Sequence, residues 1–123
     1  MRFAMGVHEL AFTMRERVVG GAVVMELVGE IDILAEQVLG PRMEALAARC
    51  RDLVVDLRAV TFLDASGVRL LLRVRARALR GGGCLRVVRG GAMVSKVIRI
   101  SGAEPAFRWI DDFPAPVAGS VPA

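Results

Sequence analysis

One hydroxyl stands at a place where chemistry could be done. "VVDLRAVTFLDASGVRLLL", residues 54 to 72, is apolar almost throughout, yet it sets Asp64, Ala65, Ser66 and Gly67 where a β-rich run meets a helical one. The chain has six hydroxyl side chains of the serine and threonine type: Thr13, Thr61, Ser66, Ser95, Ser101 and Ser120. Only Ser66 occupies such a junction. A nucleophilic serine needs a base within hydrogen-bond reach, usually histidine, and a group to orient that base. His8 is the only histidine, and it lies near the N-terminus. "DASGV" also lacks the first glycine of the G-x-S-x-G elbow. A serine hydrolase is therefore disfavoured. Local physics favours a helix cap, a role in which serine is worth about 1 kcal/mol over alanine. The same place tolerates negative charge, because a helix N-terminus offers free amides and the positive end of its dipole. A phosphate on Ser66 would add roughly −1.5 to −2 charges beside Asp64. Gly67 is expected to leave backbone room for it.

The other candidates carry less. Asp32, Asp56 and Asp64 follow strand-like runs, but nothing in their spacing is specific to a metal site, and turn or cap chemistry accounts for them. Cys50 and Cys84 are too few for structural zinc, and they read as buried thiols of a reducing compartment. "GGG", residues 81 to 83, follows a helix and precedes a strand, the reverse of a phosphate-binding loop. Arg69, Arg73, Arg77 and Arg80 step by four, four and three, so they form a helical stripe. Without interleaved aromatics it reads as a solvated face rather than a nucleic-acid surface. Arg75 projects near the middle of the apolar arc. Either its stem packs and its head reaches the edge, or that face meets a partner.

These residues need elements to position them. Residues 8–19 and 22–28 read as a strand pair around a Gly20-Gly21 turn. "GEID", residues 29–32, ends the second strand, and a helix follows to about Cys50. Pro41 either kinks that helix or opens its main segment after a turn ending at Gly40. "LVVDL", residues 53–57, suits a strand buried on both faces, and "VTFLD" extends or follows it. From Ser66 to about Arg80 the pattern is helical, with Val68, Leu71, Leu72 and Leu79 on one face. A strand at 84–88, a helix at 92–101 closed by Gly102 and a strand at 107–110 complete the order. Strands alternating with helices imply parallel pairing with right-handed crossovers. The expected fold is therefore α/β: a mostly parallel mixed sheet of four to five strands, opened by an antiparallel hairpin. A domain over 8–113 is expected, with a disordered Pro- and Ala-rich tail over 114–123.

Composition agrees with one soluble domain. The chain has 123 residues, 54% of them hydrophobic, and no run near the roughly 18 apolar residues of a membrane span. A mean hydropathy of +0.50 reads as a dense core, and the cytoplasm is the default location. The formal charge is +4, and of 17 basic residues only Lys96 is a lysine. Because the arginines are spread over the whole chain, this reads as a compositional bias rather than a nucleic-acid footprint.

The residues also carry a resemblance. "VVDLRAVTFLDASGVRLLL" resembles the signature of STAS domains, specifically of bacterial anti-sigma-factor antagonists. In that family an apolar strand ends in Asp-Leu, a connection reads roughly V-x-F-x-D, and Ser-Ser-Gly or a close variant follows. Ser66 aligns with the regulatory serine, and Ala65 replaces the frequent first serine. "GEID", "GGCLRVV" and "MVSKVIRISG" match further family segments, so the resemblance runs from about residue 8 to 113. Ala92 stands where the family often has proline. The resemblance implies the STAS fold, with helices mainly on one face of the sheet. It implies a binding protein rather than an enzyme, without cofactor or metal. Its partner would be an anti-sigma factor that is also a serine kinase, bound by the unphosphorylated form so that the sigma factor is released. Phosphorylation of Ser66 would end binding and a serine phosphatase would restore it. Asp32, Asp64, Ala65, Ser66, Gly67 and Arg69 would face the partner. No direct contact with nucleic acid or membrane is expected, and the chain would be a monomer or weak dimer. The alternative is an unphosphorylated STAS scaffold in a signalling or lipid-transport assembly.

Overall fold

The computed structural model describes residues 11–111 and 113–114. A hairpin opens it: β1 (Phe12–Val19) pairs antiparallel with β2 (Ala22–Ile31). Gly20 and Gly21 make the turn at φ +56° and +87°, left-handed conformations that glycine adopts without Cβ strain. Then follow α1 (Ile33–Arg49), β3 (Asp52–Leu63), α2 (Ala65–Arg80), β4 (Cys84–Val88), α3 (Ala92–Ile100), a 3-10 turn at Glu104–Ala106 and β5 (Arg108–Ile110). The five strands lie in the order β1-β2-β3-β4-β5, and every pairing after the first is parallel. The order steps in one direction, so right-handed crossovers place α1, α2 and α3 on the same face.

That face holds the main core. Met25, Leu27 and Ile31 of β2 and Leu53, Val55 and Leu57 of β3 meet Met43, Leu46, Leu70, Leu71, Val74 and Ile98 from the helices. The other face carries a smaller cluster of Ala22, Val24, Val54 and Val88, with Val19, Ile110 and Phe113 against it and, among the described residues, none from a helix.

The run after "LVVDL" settles as strand. β3 is one strand of 12 residues. Its register with β2 slips twice, between Glu26 and Val28 and between Gly29 and Glu30, each slip placing an extra residue on β3. The bulges change the inward spacing from two to three, which is why Leu57, Val60 and Leu63 are the buried residues there. They also carry β3 far enough to set Leu63 opposite Ile31.

Three other expectations change in detail. β2 runs to Ile31, past the point where "GEID" was expected to end it. The helix around Pro41 is continuous from Ile33 to Arg49. Proline removes one amide donor, but Gln37, whose carbonyl would have accepted it, is exposed and can bind water. The buried line of α2 is Val68, Leu70, Leu71, Val74 and Ala78, and Leu79 is exposed. Packing against both α1 and the sheet selects that arc and turns Leu79 out of it. Arg75 is half-buried, without an ion-pair partner among the described residues. Cys50 and Cys84 are free and half-buried. His8 and residues 115–123 of the expected tail lie outside the described residues.

Candidate functional site

The site forms where β2 and β3 end. Because Ile31 and Leu63 are in register, the next residues, Asp32 and Asp64, emerge from neighbouring parallel strands at the same edge. Each then caps a helix. Asp32 Oδ1 accepts from the amides of Leu34 and Ala35, both at 3.1 Å. Asp64 Oδ1 accepts from the amides of Ser66 at 2.9 Å and Gly67 at 3.2 Å. The C-terminal edge of parallel strands is where open α/β sheets place their functional loops.

The cap of α2 is therefore Asp64, and the expectation that Ser66 plays that part is corrected. Ser66 is the second residue of the helix and is buried, at 8% exposure. Aspartate caps at least as well as serine, and standing first at the strand end it takes the two amides that Ser66 was expected to leave free. Gly67 also has another task. A Cβ there would lie 2.7 Å from the Ile31 carbonyl oxygen and 2.3 Å from Leu63 Cδ1. The space beside Gly67 is thus filled by the strand ends, which lets α2 begin directly against the sheet.

The hydroxyl of Ser66 is held from the other side. Arg69, three residues on along the same helix face, donates from Nη2 to Ser66 Oγ at 3.0 Å. The same Nη2 lies 3.8 Å from Glu36 Oε1 on α1. The other Glu36 oxygen accepts from Arg73, whose Nε reaches Glu44 at 3.2 Å. Bonding to Glu36 and Glu44 raises the Arg73 pKa above the ordinary arginine value. Half of the arginine stripe thus serves the α1–α2 contact.

Of the predicted site residues, Asp32, Asp64, Ala65, Ser66, Gly67 and Arg69 all gather at this edge. Asp56 does not: it points to the helix-free face and pairs with Arg58 there. Among the described residues no three histidine, cysteine or acidic side chains converge as a metal site. Sequence reading missed an apolar rim. Ile33 at 56% exposure and Leu34 at 47% open α1, and Phe62 at 43% is the next-to-last residue of β3. The signal was available: large apolar residues within two positions of the cap aspartates, in "DIL" and "FLD".

Comparison with known proteins decides the family. The family described as Mlab, STAS domain, matches residues 14–107. This chain belongs to the STAS domain family. The STAS domain is similar in structure to an anti-sigma factor antagonist from Mycobacterium paratuberculosis, at 26% identity and a TM-score of 0.74, over 82% of this chain and 86% of that one. It is also similar to the anti-sigma factor antagonist SpoIIAA in its unphosphorylated form, at 21% identity and a TM-score of 0.69, over 81% and 90% of the two chains. The phosphorylated form of SpoIIAA, a cell fate determinant of Bacillus, matches at 23% identity and a TM-score of 0.62, over 83% and 93%. At those identities the SpoIIAA structures speak for the fold. No curated protein matches. Among the described residues no helix of the STAS domain is long and apolar enough to cross a membrane.

Proposed function

We propose that this STAS domain is an anti-sigma-factor antagonist switched at Ser66. The unmodified form binds an anti-sigma factor that is also a serine kinase, through the edge formed by Asp32, Asp64, Ala65, Ser66, Gly67 and Arg69. Ile33, Leu34 and Phe62 add apolar area to that surface. Binding releases the sigma factor. Transfer of the ATP γ-phosphoryl group to Ser66 Oγ, with ADP leaving and the hydroxyl proton passing to a base of the kinase, ends the complex. A serine phosphatase returns the domain to its binding form. The observation that carries this reading is the placement of Ser66: the first turn of a capped helix, at a sheet edge rimmed by exposed apolar side chains.

The test is direct. A pull-down with unmodified protein recovers the kinase-like partner, and calorimetry compares it with Ser66→Asp. The variant is expected to lose binding by 100-fold or more, roughly the 3 kcal/mol that a charge costs in a closed interface, while its circular dichroism stays that of the parent. Equal affinity would overturn the switch.

A second reading has one observation in its favour. Ser66 is buried and already hydrogen-bonded, as expected of a structural hydroxyl in an unphosphorylated scaffold. That scaffold would keep a constant partner, and mass spectrometry of the protein from cells would find no phosphate on Ser66.

A further inference from the structure

A phosphate on Ser66 would meet a helix N-terminus at which two of the usual anion donors are already engaged. Two first-turn amides, those of Ser66 and Gly67, both donate to Asp64 Oδ1. The Asp64 carboxylate itself repels a second anion, and Asp32 adds another negative group at the neighbouring strand end. Those two amides are therefore not available to the phosphate. One cation is already in place: the Arg69 guanidinium, 3.0 Å from Ser66 Oγ.

We propose that Arg69 is the phosphate-binding residue of this domain, and that it exchanges Glu36 for the phosphate when Ser66 is modified. The inference rests on Ser66 being the modified residue. Arg69 is free to make the exchange. Its side chain is 58% exposed, and the 3.8 Å approach to Glu36 is a long, solvent-screened ion pair. A phosphoserine dianion offers three acceptor oxygens, and the planar fork of arginine matches two of them. Glu36 is not stranded by the exchange, because Arg73 remains bonded to it. The α1–α2 contact thus survives while the rim changes. Before modification the edge presents Arg69 as an exposed cation; afterwards that charge is consumed locally and a dianion stands beside the cap aspartates. A partner that reads the Arg69 cation loses it in the same event that brings the phosphate.

The experiment installs phosphoserine at position 66 of the full chain by genetic code expansion and follows its second ionisation by 31P NMR. The charged groups facing it are Asp64 on its own cap, Asp32 at the adjacent strand end, Arg69, and Glu36 and Arg73 across the helix pair. In the parent the midpoint is expected below that of Arg69→Gln by roughly one pH unit, as for an acid beside a cation, with Arg69→Lys in between. Glu36→Gln, which releases Arg69 from its competitor, is expected to lower the midpoint further. Coincident midpoints for the parent and Arg69→Gln would overturn the assignment. A midpoint unmoved by Glu36→Gln would overturn the exchange. Because the phosphate is installed rather than supplied by a kinase, this result is independent of the switch itself. Failure of the switch would show instead as unmodified Ser66 in cells, with the titration unaffected.

Discussion

At the scale of single residues, the site turns on a division of labour between Asp64 and Ser66. Both are good cap residues, and a sequence places them two apart. The structure gives the cap to Asp64 and leaves the Ser66 hydroxyl to Arg69. Asp64→Ala removes the acceptor of two amides and is expected to lower stability by about 1 kcal/mol, while Asp64→Asn, which caps equally well, stays close to the parent. Urea unfolding followed by the fluorescence of Trp109 reads both. That one serine alone stands at a strand–helix junction was visible in the sequence, and the resemblance to the STAS signature is what singled out "DASG". Who bonds whom was not visible, because either residue could have taken the cap and Glu36 meets Arg69 only through the packing of α1 on α2.

At the scale of elements, the sheet edge depends on the bulges of β3 and on how α1 is held. The apolar spacing of Leu57, Val60 and Leu63 is visible in the sequence, but a spacing of three reads equally as a connection. Only pairing with β2 makes it a bulged strand. Pro41 shows the same limit from the other side, since packing carries α1 through a residue that local propensity would use to break it. α1 is also tied to β1 by a bidentate pair, in which Arg42 donates from Nε and Nη2 to Glu16, both at 2.7 Å. That hydrogen bonding holds the Glu16 carboxyl below the ordinary glutamate range. A carboxyl with a depressed folded pKa contributes stability above its unfolded pKa, and the contribution is lost as pH falls through the folded value. In a carboxyl-carbon NMR titration, Glu16 is expected to titrate below ordinary glutamate and to return to it in Arg42→Ala.

At the scale of the whole molecule, the two faces of the sheet are built differently. One face is covered by three helices. The other carries Glu26 and Asp56, at 3% and 1% exposure, opposite each other in the register of β2 and β3. Arg15 approaches Glu26 at 3.7 Å, and Arg58 binds Asp56 through Nε and Nη2 at 3.0 and 2.8 Å. Arg58 and Arg17 also donate to the Pro114 carbonyl, at 3.2 and 2.8 Å, so the chain after β5 is drawn over this face. Arg58→Ala would leave the Asp56 charge buried beside Glu26 without its main partner. A loss of about 3 kcal/mol is expected in urea unfolding, since removing one member of a buried pair uncovers the desolvation cost of the other.

The sequence by itself determined the element order, the parallel alternation of strands and helices, and the place of the one hydroxyl at a strand–helix junction. Those follow from local periodicity, from turn residues and from a junction motif, all written within short windows. The tertiary structure alone decided that Asp32 and Asp64 stand side by side as twin caps, that the Ile31 carbonyl closes the room beside Gly67, and that Arg69 faces Glu36. The reason is distance along the chain. Each of these relations joins segments about 30 residues apart, and only the register of two parallel strands and the packing of the helices that follow them bring those segments together.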